Sequence, residues 1–357
     1  FFFYYLELGN YQTTFNESRR AIEYFEKVLF LIQESETAKK TVEKQYGLSR
    51  LYSRLGVNIL NIKDCSQASR YFTKSIEQIK NRTDKMAVKR IVQNLTSIGS
   101  IYSERNLYDT ATYYYEQADS LLDIAIASAA DANAFFHQKR HILWHAGANA
   151  LNRGDLDQAK RYFLEVLEKF SVEDRQWDDV GTLFYLGIIA EEQNDWPSAL
   201  YYNHLGIIAL CRTFNNPDYL QLPALEDFRE LGYTYRLLNQ KARYLSLSAQ
   251  QEADSVKKAR HLEAAIRTVD LFDQVHNRGL KKMNILRDGQ NTTIIETSLM
   301  NYKEGISIAH RDHRSQTSQE VIEKGFYYTQ NMKSQHLWMN LLMSEATTHG
   351  NVPETFV

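Results

Sequence analysis

The sequence has little of the residues that interrupt helices, and it has no long apolar run. It contains 4 prolines and 15 glycines in 357 residues, and the stretches between them are rich in good helix formers such as Leu, Ala, Glu, Gln, Lys and Arg. No apolar run approaches the roughly 20 residues that span a bilayer, and the opening FFFYYLELG lacks the basic flank and cleavage site of a signal peptide. These absences predict an all-α protein without a membrane partner.

The number of cysteines and the net charge argue against a disulfide-stabilised protein and a nucleic-acid-binding protein. The two cysteines, Cys65 and Cys211, form neither a CxxC pair nor a disulfide framework, which fits a reducing, cytoplasmic location and buried, inert thiols. Lys and Arg together number 42 and Asp and Glu number 44, so the formal net charge is -2. Because such a chain has no overall field to attract phosphates, we do not expect a nucleic-acid partner.

An apolar residue followed by glycine recurs six times. The copies are Leu8-Gly9, Leu55-Gly56, Ile98-Gly99, Ala146-Gly147, Leu186-Gly187 and Leu231-Gly232. Twelve residues after the glycine, five of the copies have an alanine. Sixteen residues after it stand Phe25, Phe72, Tyr115 and Phe163, then Asn203 and Ser248. Since small residues let two antiparallel helices approach while an aromatic fills the wedge between them, the pattern predicts repeated helix pairs.

Two turns between paired helices can also be read from the sequence. They are Asn152-Arg153-Gly154-Asp155 and Gln193-Asn194-Asp195-Trp196-Pro197. Gly154 and Asn194 are suited to the left-handed residue that ends a first helix, and the aspartates are suited to capping the second. Pro197 is tolerated in a first turn.

These features resemble the tetratricopeptide repeat (TPR), in which Leu-Gly, Ala, an aromatic and Ala recur at these offsets. The segments WHAGANALNRGDLDQAKRYFLEV (144–166) and IGSIYSERNLYDTATYYYEQA (98–118) match best. Successive glycines lie 40 to 48 residues apart rather than the usual ~34, which predicts longer helices and connections. We therefore expect a right-handed α-α superhelix with six degenerate repeats in 1–254, closing helical pairs in 255–346 and a linker in 347–357.

The TPR resemblance implies a groove that binds a protein or peptide. In TPR arrays the positions -6, -3, +1, +4 and +5 from each glycine face this groove. The predicted groove residues are Arg50, Ser53, Asn61, Gln93, Thr96, His141, Trp144, Asn152, Phe184, Glu191, Arg229 and Arg236. Trp144 and Phe184 would form an apolar anchor and the arginines would hold carboxylates; alternatively, Trp144 packs between repeats.

The C-terminal segment resembles the helices that close the TPR array of CHAT-domain proteins. Their motif is Phe-x-Tyr-x-Glu-x-Ser-Lys, then Leu-Leu, followed by a loop and Ile-Pro-Asp. The matching residues, which we name the coupling helix, are Phe326, Tyr328, Lys333, Leu337 and Leu341, with Val352-Pro353-Glu354 at the loop exit. Gln330 and Met332 depart from the motif. The resemblance implies a bacterial scaffold that regulates a caspase-like CHAT protease attached after Val357.

Two other functions remain open. A standalone long-TPR peptide sensor would place a DNA-binding helical domain before Phe1. An enzyme is disfavoured, because the kinase-like triplet His310-Arg311-Asp312 has neither its glycine-rich loop nor its Asn. The pair His310/His313 supplies too few ligands for a structural or catalytic zinc. His137 and His141 have a ligand spacing, but the neighbouring Lys139 and Arg140 and the lack of an acid favour a solvated face. We therefore expect no catalysis in this chain, no cofactor and no metal.

Overall fold

The computed structural model describes residues 2–15, 17–45, 47–128, 132–170, 177–228, 232–282, 300–310 and 323–333. Within these ranges the regular structure is helical, apart from an isolated antiparallel bridge between Cys211 and Phe228. The predicted all-α class is confirmed. The chain divides into two compact units, unit 1 with residues 1–170 and unit 2 with residues 171–357.

Unit 1 is a succession of antiparallel helix pairs. Its helices are α1 (Phe2–Thr14), α2 (Ser18–Glu34), α3 (Glu36–Gln45), α4 (Leu48–Asn61), α5 (Cys65–Glu77), α6 (Lys85–Glu104), α7 (Tyr108–Ser128), α8 (Phe136–Arg153) and α9 (Leu156–Phe170). The pairs are α1–α2, α4–α5, α6–α7 and α8–α9, and the second helix of one pair packs on the first helix of the next. The short α3 is an addition between the first two pairs.

Unit 2 is also built of helix pairs. Its helices are α10 (Trp177–Glu192), α11 (Trp196–Leu210), α12 (Gly232–Gln251) and α13 (Ser255–Lys282), followed by helical residues 300–310 (α14) and 323–333 (α15). α10 pairs with α11 and α12 pairs with α13. A connection that begins at Cys211 leads from α11 to α12 and includes the 3-10 turn Leu225–Asp227.

The predicted contact between glycine and an aromatic ring holds the first four pairs together. A methyl group at these glycines would lie 2.6 to 2.9 Å from a ring atom sixteen residues further on. The pairs are Gly9 with Phe25, Gly56 with Phe72, Gly99 with Tyr115 and Gly147 with Phe163. The alanines twelve residues after these glycines are completely buried. The spacing in the sequence therefore corresponds to a close helix approach sealed by an aromatic ring.

The helix pair predicted from the sixth copy, at Leu231-Gly232, was wrong. Gly232 is the first residue of α12, and Tyr244, twelve residues later, lies on the same helix rather than on a partner helix. The pair is instead α12 with α13, and the predicted repeat boundary at residue 254 falls in the turn between them. Ser246 occupies the place of the glycine, five residues before the end of α12, and is buried. Only the Leu231-Gly232 dipeptide matched in this copy, because Tyr244 and Ser248 stand where the pattern has an alanine and an aromatic residue.

The turns inside the pairs follow one design. In four of the described pairs the residue seven positions after the repeat glycine has a positive φ angle: Lys63 (68°), Asn106 (60°), Gly154 (85°) and Asn194 (57°). The aspartates that follow three of them cap the second helix: Asp64, Asp155 and Asp195 accept hydrogen bonds from backbone N–H groups three residues on, at 2.9, 3.1 and 3.2 Å. The turns predicted at Gly154 and Asn194 are confirmed.

Lys63 is the least suited of these four residues to its backbone conformation. A left-handed conformation costs a residue with a Cβ about 1–2 kcal/mol, whereas glycine adopts it freely. We expect Lys63→Gly to raise the free energy of unfolding by about 1 kcal/mol. Lys160→Gly, in the interior of α9, should lower it by about 1 kcal/mol. Urea unfolding monitored by circular dichroism compares the two, and a destabilised Lys63→Gly protein would refute the argument.

Candidate partner-binding surface

The predicted groove residues of unit 1 lie mostly on the surface of the first helices. Arg50 on α4, Gln93 on α6, and His141 and Asn152 on α8 are exposed. Asn61 is also exposed, and its amide donates a hydrogen bond to Ser18 Oγ at 3.1 Å. These positions are therefore accessible, and their role in partner binding stays a prediction.

Ser53 and Thr96 are corrections to the predicted groove. Thr96 has no exposed surface and donates to the carbonyl of Val92. Ser53 is 9% exposed and donates to Asn94 Oδ1 at 2.8 Å. Neither side chain can reach a partner, because both are buried inside unit 1.

Ser53 belongs to a closed polar network that joins α4, α5 and α6. Asn94 Nδ2 donates to Ser75 Oγ at 2.8 Å, and Ser75 Oγ donates to the carbonyl of Ser49 at 2.7 Å. All four residues are buried, and each bond joins different helices. Since a buried polar group without a partner costs about 1–3 kcal/mol, this network specifies how neighbouring pairs are aligned.

Trp144 is a half-buried residue on α8 rather than an open anchor. Its ring lies edge-on to His145, with 5.0 Å between ring centroids. His145 in turn lies against His141, with centroids 4.4 Å apart. The first helix of this pair thus carries an aromatic and imidazole cluster that the sequence pattern did not indicate.

In unit 2 the structure brings two predicted groove residues together. The guanidinium carbon of exposed Arg236, on α12, lies 6.0 Å from the ring centroid of half-buried Phe184, on α10. Tyr233 meets the same Phe184 ring edge-on at 6.2 Å. Arg229 lies outside the described residues. Arg236 and Phe184 therefore form a cation–π pair at a surface.

Glu191, the remaining predicted groove residue of unit 2, is engaged by its neighbour. Its carboxylate forms an ion pair with Arg243, whose side chain is half exposed. Burial raises the pKa of Glu191, and the positive charge of Arg243 opposes that rise. Glu191 thus orients an arginine rather than presenting a free carboxylate.

A buried lysine lies beneath the connection from α11 to α12. Lys241 has no exposed surface, and its Nζ donates to the carbonyl of Gln221 at 3.0 Å and lies 3.2 Å from His204 Nδ1. His204 Nε2 lies 2.7 Å from the carbonyl of Asn216, so it is the protonated nitrogen and Nδ1 accepts from Lys241. Burial lowers the pKa of Lys241 to about 7. Because no surface of Lys241 is open to a substrate, we interpret it as a support for the connection.

The coupling helix corresponds in part to α15. Tyr328 is completely buried, whereas Phe326 and Lys333 are exposed; Leu337 and Leu341 lie outside the described residues. A methyl group at Gly305 on α14 would lie 2.8 Å from the Tyr328 ring. This contact repeats the glycine–aromatic contact of unit 1 and makes α14–α15 a further pair. The sequence pattern missed it because 23 residues, rather than 16, separate glycine from aromatic.

Two aspartates on α13 hold α14 and α15 in place. Asp270 accepts a hydrogen bond from Tyr328 at 2.6 Å and pairs with Lys324 at 2.8 Å. Asp273 accepts bonds from Tyr302 and, at 2.7 Å, from Tyr327. Burial and these carboxylate contacts raise the pKa of the three tyrosines. These aspartates are polar residues without periodic spacing, so the sequence did not reveal them.

The region of His310 is described only in part. His310 is an exposed residue at the last described position of α14, and its proposed companion His313 lies outside the described residues. Among the described residues, no group of three or more His, Cys, Asp and Glu side chains is placed to hold a metal. Also within this part of the chain, no helix combines the length and apolarity needed to cross a membrane.

Comparison with known proteins shows similarity of fold. Neither a protein-family model nor a curated protein matches the sequence. Solved structures do match. The quorum sensor NprR from B. thuringiensis, in its apo form, is 14% identical, with 94% of this chain and 76% of that chain covered at a TM-score of 0.54. RapI, also in its apo form, is 11% identical, with 93% of this chain and 99% of that chain covered at a TM-score of 0.52.

A third solved structure carries the repeat in its description. The C-terminal part of a TPR repeat-containing protein from Cytophaga hutchinsonii is 12% identical, with 94% of this chain and 95% of that chain covered at a TM-score of 0.50. At such identities the likeness concerns the fold. The chain therefore has a TPR-like, all-α repeat fold, as predicted. The link to CHAT-domain proteins stays a prediction.

Proposed function

We propose that this chain is a helical-repeat scaffold that binds a peptide or protein partner and carries no catalytic site of its own. The observation behind the proposal is the Arg236–Phe184 pair of unit 2. Arg236 is exposed, its guanidinium carbon lies 6.0 Å from the Phe184 ring centroid, and in the described part of the chain no carboxylate forms an ion pair with it. Such an arginine is suited to a carboxylate supplied from outside.

The contact with the Phe184 ring prepares the guanidinium of Arg236 for recognition. A planar cation held over an aromatic face loses less side-chain freedom on binding than a free one does. Its N–H donors lie in the plane of the group and form two parallel bonds to one carboxylate. The matching partner group is therefore an Asp or Glu side chain, or a free C-terminus, next to an apolar residue that contacts Phe184 or Tyr233.

A standalone peptide sensor is the second candidate, favoured by the extent of the structural likeness. The matched NprR structure is that of a quorum sensor and covers 94% of this chain. In this case the scaffold would sense a peptide and act through a further domain. We expect that domain to be a DNA-binding helical domain before Phe1. A cytoplasmic location forms part of either proposal and fits the two free thiols, Cys65 and Cys211.

Regulation of an attached CHAT protease is the more specific form of the first proposal. Its support is the motif resemblance, together with the position of α15, where Tyr328 is anchored while Phe326 and Lys333 remain exposed to a following element. A caspase-like sequence with a His and a Cys nucleophile after residue 357 would support this form. A DNA-binding domain before residue 1, with no protease, would support the sensor instead.

Selection from a random-peptide display library tests the binding proposal. With the purified chain as bait, we expect enrichment of peptides that carry an acidic residue or a free C-terminus beside an apolar residue. The dissociation constant of an enriched peptide should rise about tenfold or more in Arg236→Ala. Arginines that become buried at an interface on binding are frequent hot spots. Arg236→Lys should restore little, because an ammonium cannot form the bidentate contact.

Arg260→Ala is the matched control. Arg260 is exposed on α13, so its removal changes the net charge equally and leaves the Arg236–Phe184 pair intact. Equal peptide affinity in the wild-type and Arg236→Ala proteins, or enrichment of peptides without any carboxylate beyond the library average, would contradict the proposal.

A further inference from the structure

Two histidines of unit 1 are arranged as a chelating pair on the surface of α8. His141 Nε2 and His145 Nε2 lie 3.2 Å apart, on successive turns of one helix face. His141 is exposed and His145 is half-buried, so the space between the two nitrogens can be reached from solvent. The sequence indicated only the spacing of His137 and His141, and the structure shows that the close pair is the next one along the helix.

The hydrogen bonds around His145 fix which of its nitrogens carries the proton. Ser100 Oγ donates its single proton to the carbonyl of Thr96 at 3.0 Å. It therefore acts as acceptor towards His145 Nδ1, 2.9 Å away, and towards the Tyr115 hydroxyl at 3.4 Å. Nδ1 of His145 is thus the protonated nitrogen, and the lone pair of Nε2 points towards His141.

This arrangement is that of a metal ligand with its supporting contact. Ligating histidines usually donate their second N–H to a fixed oxygen, which orients the ring and selects the tautomer. Two metal–nitrogen bonds of about 2.0–2.1 Å to atoms 3.2 Å apart enclose an angle of roughly 100°, close to tetrahedral.

We propose that His141 and His145 form a binding site for a divalent transition-metal ion, with Ser100 as the positioning residue. Imidazole ligands favour Zn²⁺, Ni²⁺ and Cu²⁺ over Mg²⁺ and Ca²⁺. Binding requires the proton of neutral His141 to lie on Nδ1, so that its Nε2 faces the ion. Water molecules complete the coordination, since no third His, Cys, Asp or Glu among the described residues joins the pair. The site lies in the other unit from Arg236 and is independent of the proposed peptide binding.

Calorimetric titration of the purified chain with ZnCl₂ and NiCl₂, in a buffer that does not chelate metals, tests the site. We expect saturable binding of one ion per chain, no binding of MgCl₂, and at least a tenfold loss of affinity in His141→Ala. Ser100→Ala should weaken binding by about tenfold while both ligands remain, as is usual for supporting contacts.

The control is His137→Ala, which removes an exposed histidine one turn earlier on the same helix and should bind like the wild type. His141 is exposed, so His141→Ala is expected to fold normally, as circular dichroism would verify, even if His145→Ala does not. Absence of saturable Zn²⁺ and Ni²⁺ binding in the wild type, or equal binding in His141→Ala, would overturn the proposal. A loss in His137→Ala equal to that in His141→Ala would do the same.

Discussion

Replacing Gly56 with alanine is expected to lower the free energy of unfolding by about 2 kcal/mol. A methyl group at this position would lie 2.7 Å from the ring of Phe72, which is 1% exposed and cannot move aside without disturbing the core. The gain of up to about 1 kcal/mol from the higher helix propensity of alanine is smaller than this strain. Chemical unfolding followed by circular dichroism measures the change.

Gly187→Ala is the matched control, with the opposite expected sign. The nearest atoms to its added methyl group would be those of Tyr244 at 3.5 Å, an ordinary contact distance. Because nothing must move, the substitution should be neutral or stabilise the protein by up to about 1 kcal/mol. Equal destabilisation by the two substitutions would show that the ring contact does not distinguish the repeats.

The stability of unit 2 is expected to rise as the pH increases from 7 to 9, because Lys241 is buried. The pKa of Lys241 is lowered from 10.5 to about 7. Well below pH 7 the lysine is protonated in both states, and the folded state carries the full cost of a buried cation. Between the two pKa values the unfolded state holds more protons, so the free energy of unfolding increases by about 2 kcal/mol from pH 7 to pH 9.

Lys241→Met tests whether Lys241 causes this rise, through the slope of the free energy of unfolding against pH. The variant loses two hydrogen-bonding contacts, so its stability at a single pH is a mixture of effects. Its free energy of unfolding should nevertheless change by about 2 kcal/mol less than that of the wild type over the same pH range. Lys257→Met, at an exposed position of α13, should keep the wild-type slope. Parallel curves for wild type and Lys241→Met would show that Lys241 remains charged in the folded protein.

The repeat architecture was predictable because its signals are local and periodic. Helix formers, the glycine–aromatic spacing and the turn residues Gly154 and Asn194 all lie within one helix pair, so distance along the chain reports distance in space. Where a helix pair departs from the usual length, residue spacing no longer predicts which residues are in contact. Gly305 and Tyr328 were missed because of their longer separation, and Gly232 was accepted on the Leu-Gly dipeptide alone, although Tyr244 and Ser248 depart from the pattern.

The polar contacts between pairs could not be read from the sequence. Ser53 and Asn94 are 41 residues apart, His204 and Lys241 are 37 apart, and Asp270 and Tyr328 are 58 apart. Each is a single contact without a periodic signature, and its partners are recognisable only once the helices are stacked. The same limit applies to the predicted groove, where the offsets indicated exposed Arg236 and His141 but also buried Ser53 and Thr96.

Hydrogen–deuterium exchange of the chain, with and without a display-selected acidic peptide, tests the central claim most directly. If the chain binds partners through the first helices of its pairs, the peptide should slow exchange in α10 and α12, around Phe184 and Arg236. The protection should disappear in Arg236→Ala and persist in Arg260→Ala. Protection confined to the second helices α11 and α13, or unchanged in Arg236→Ala, would contradict the account.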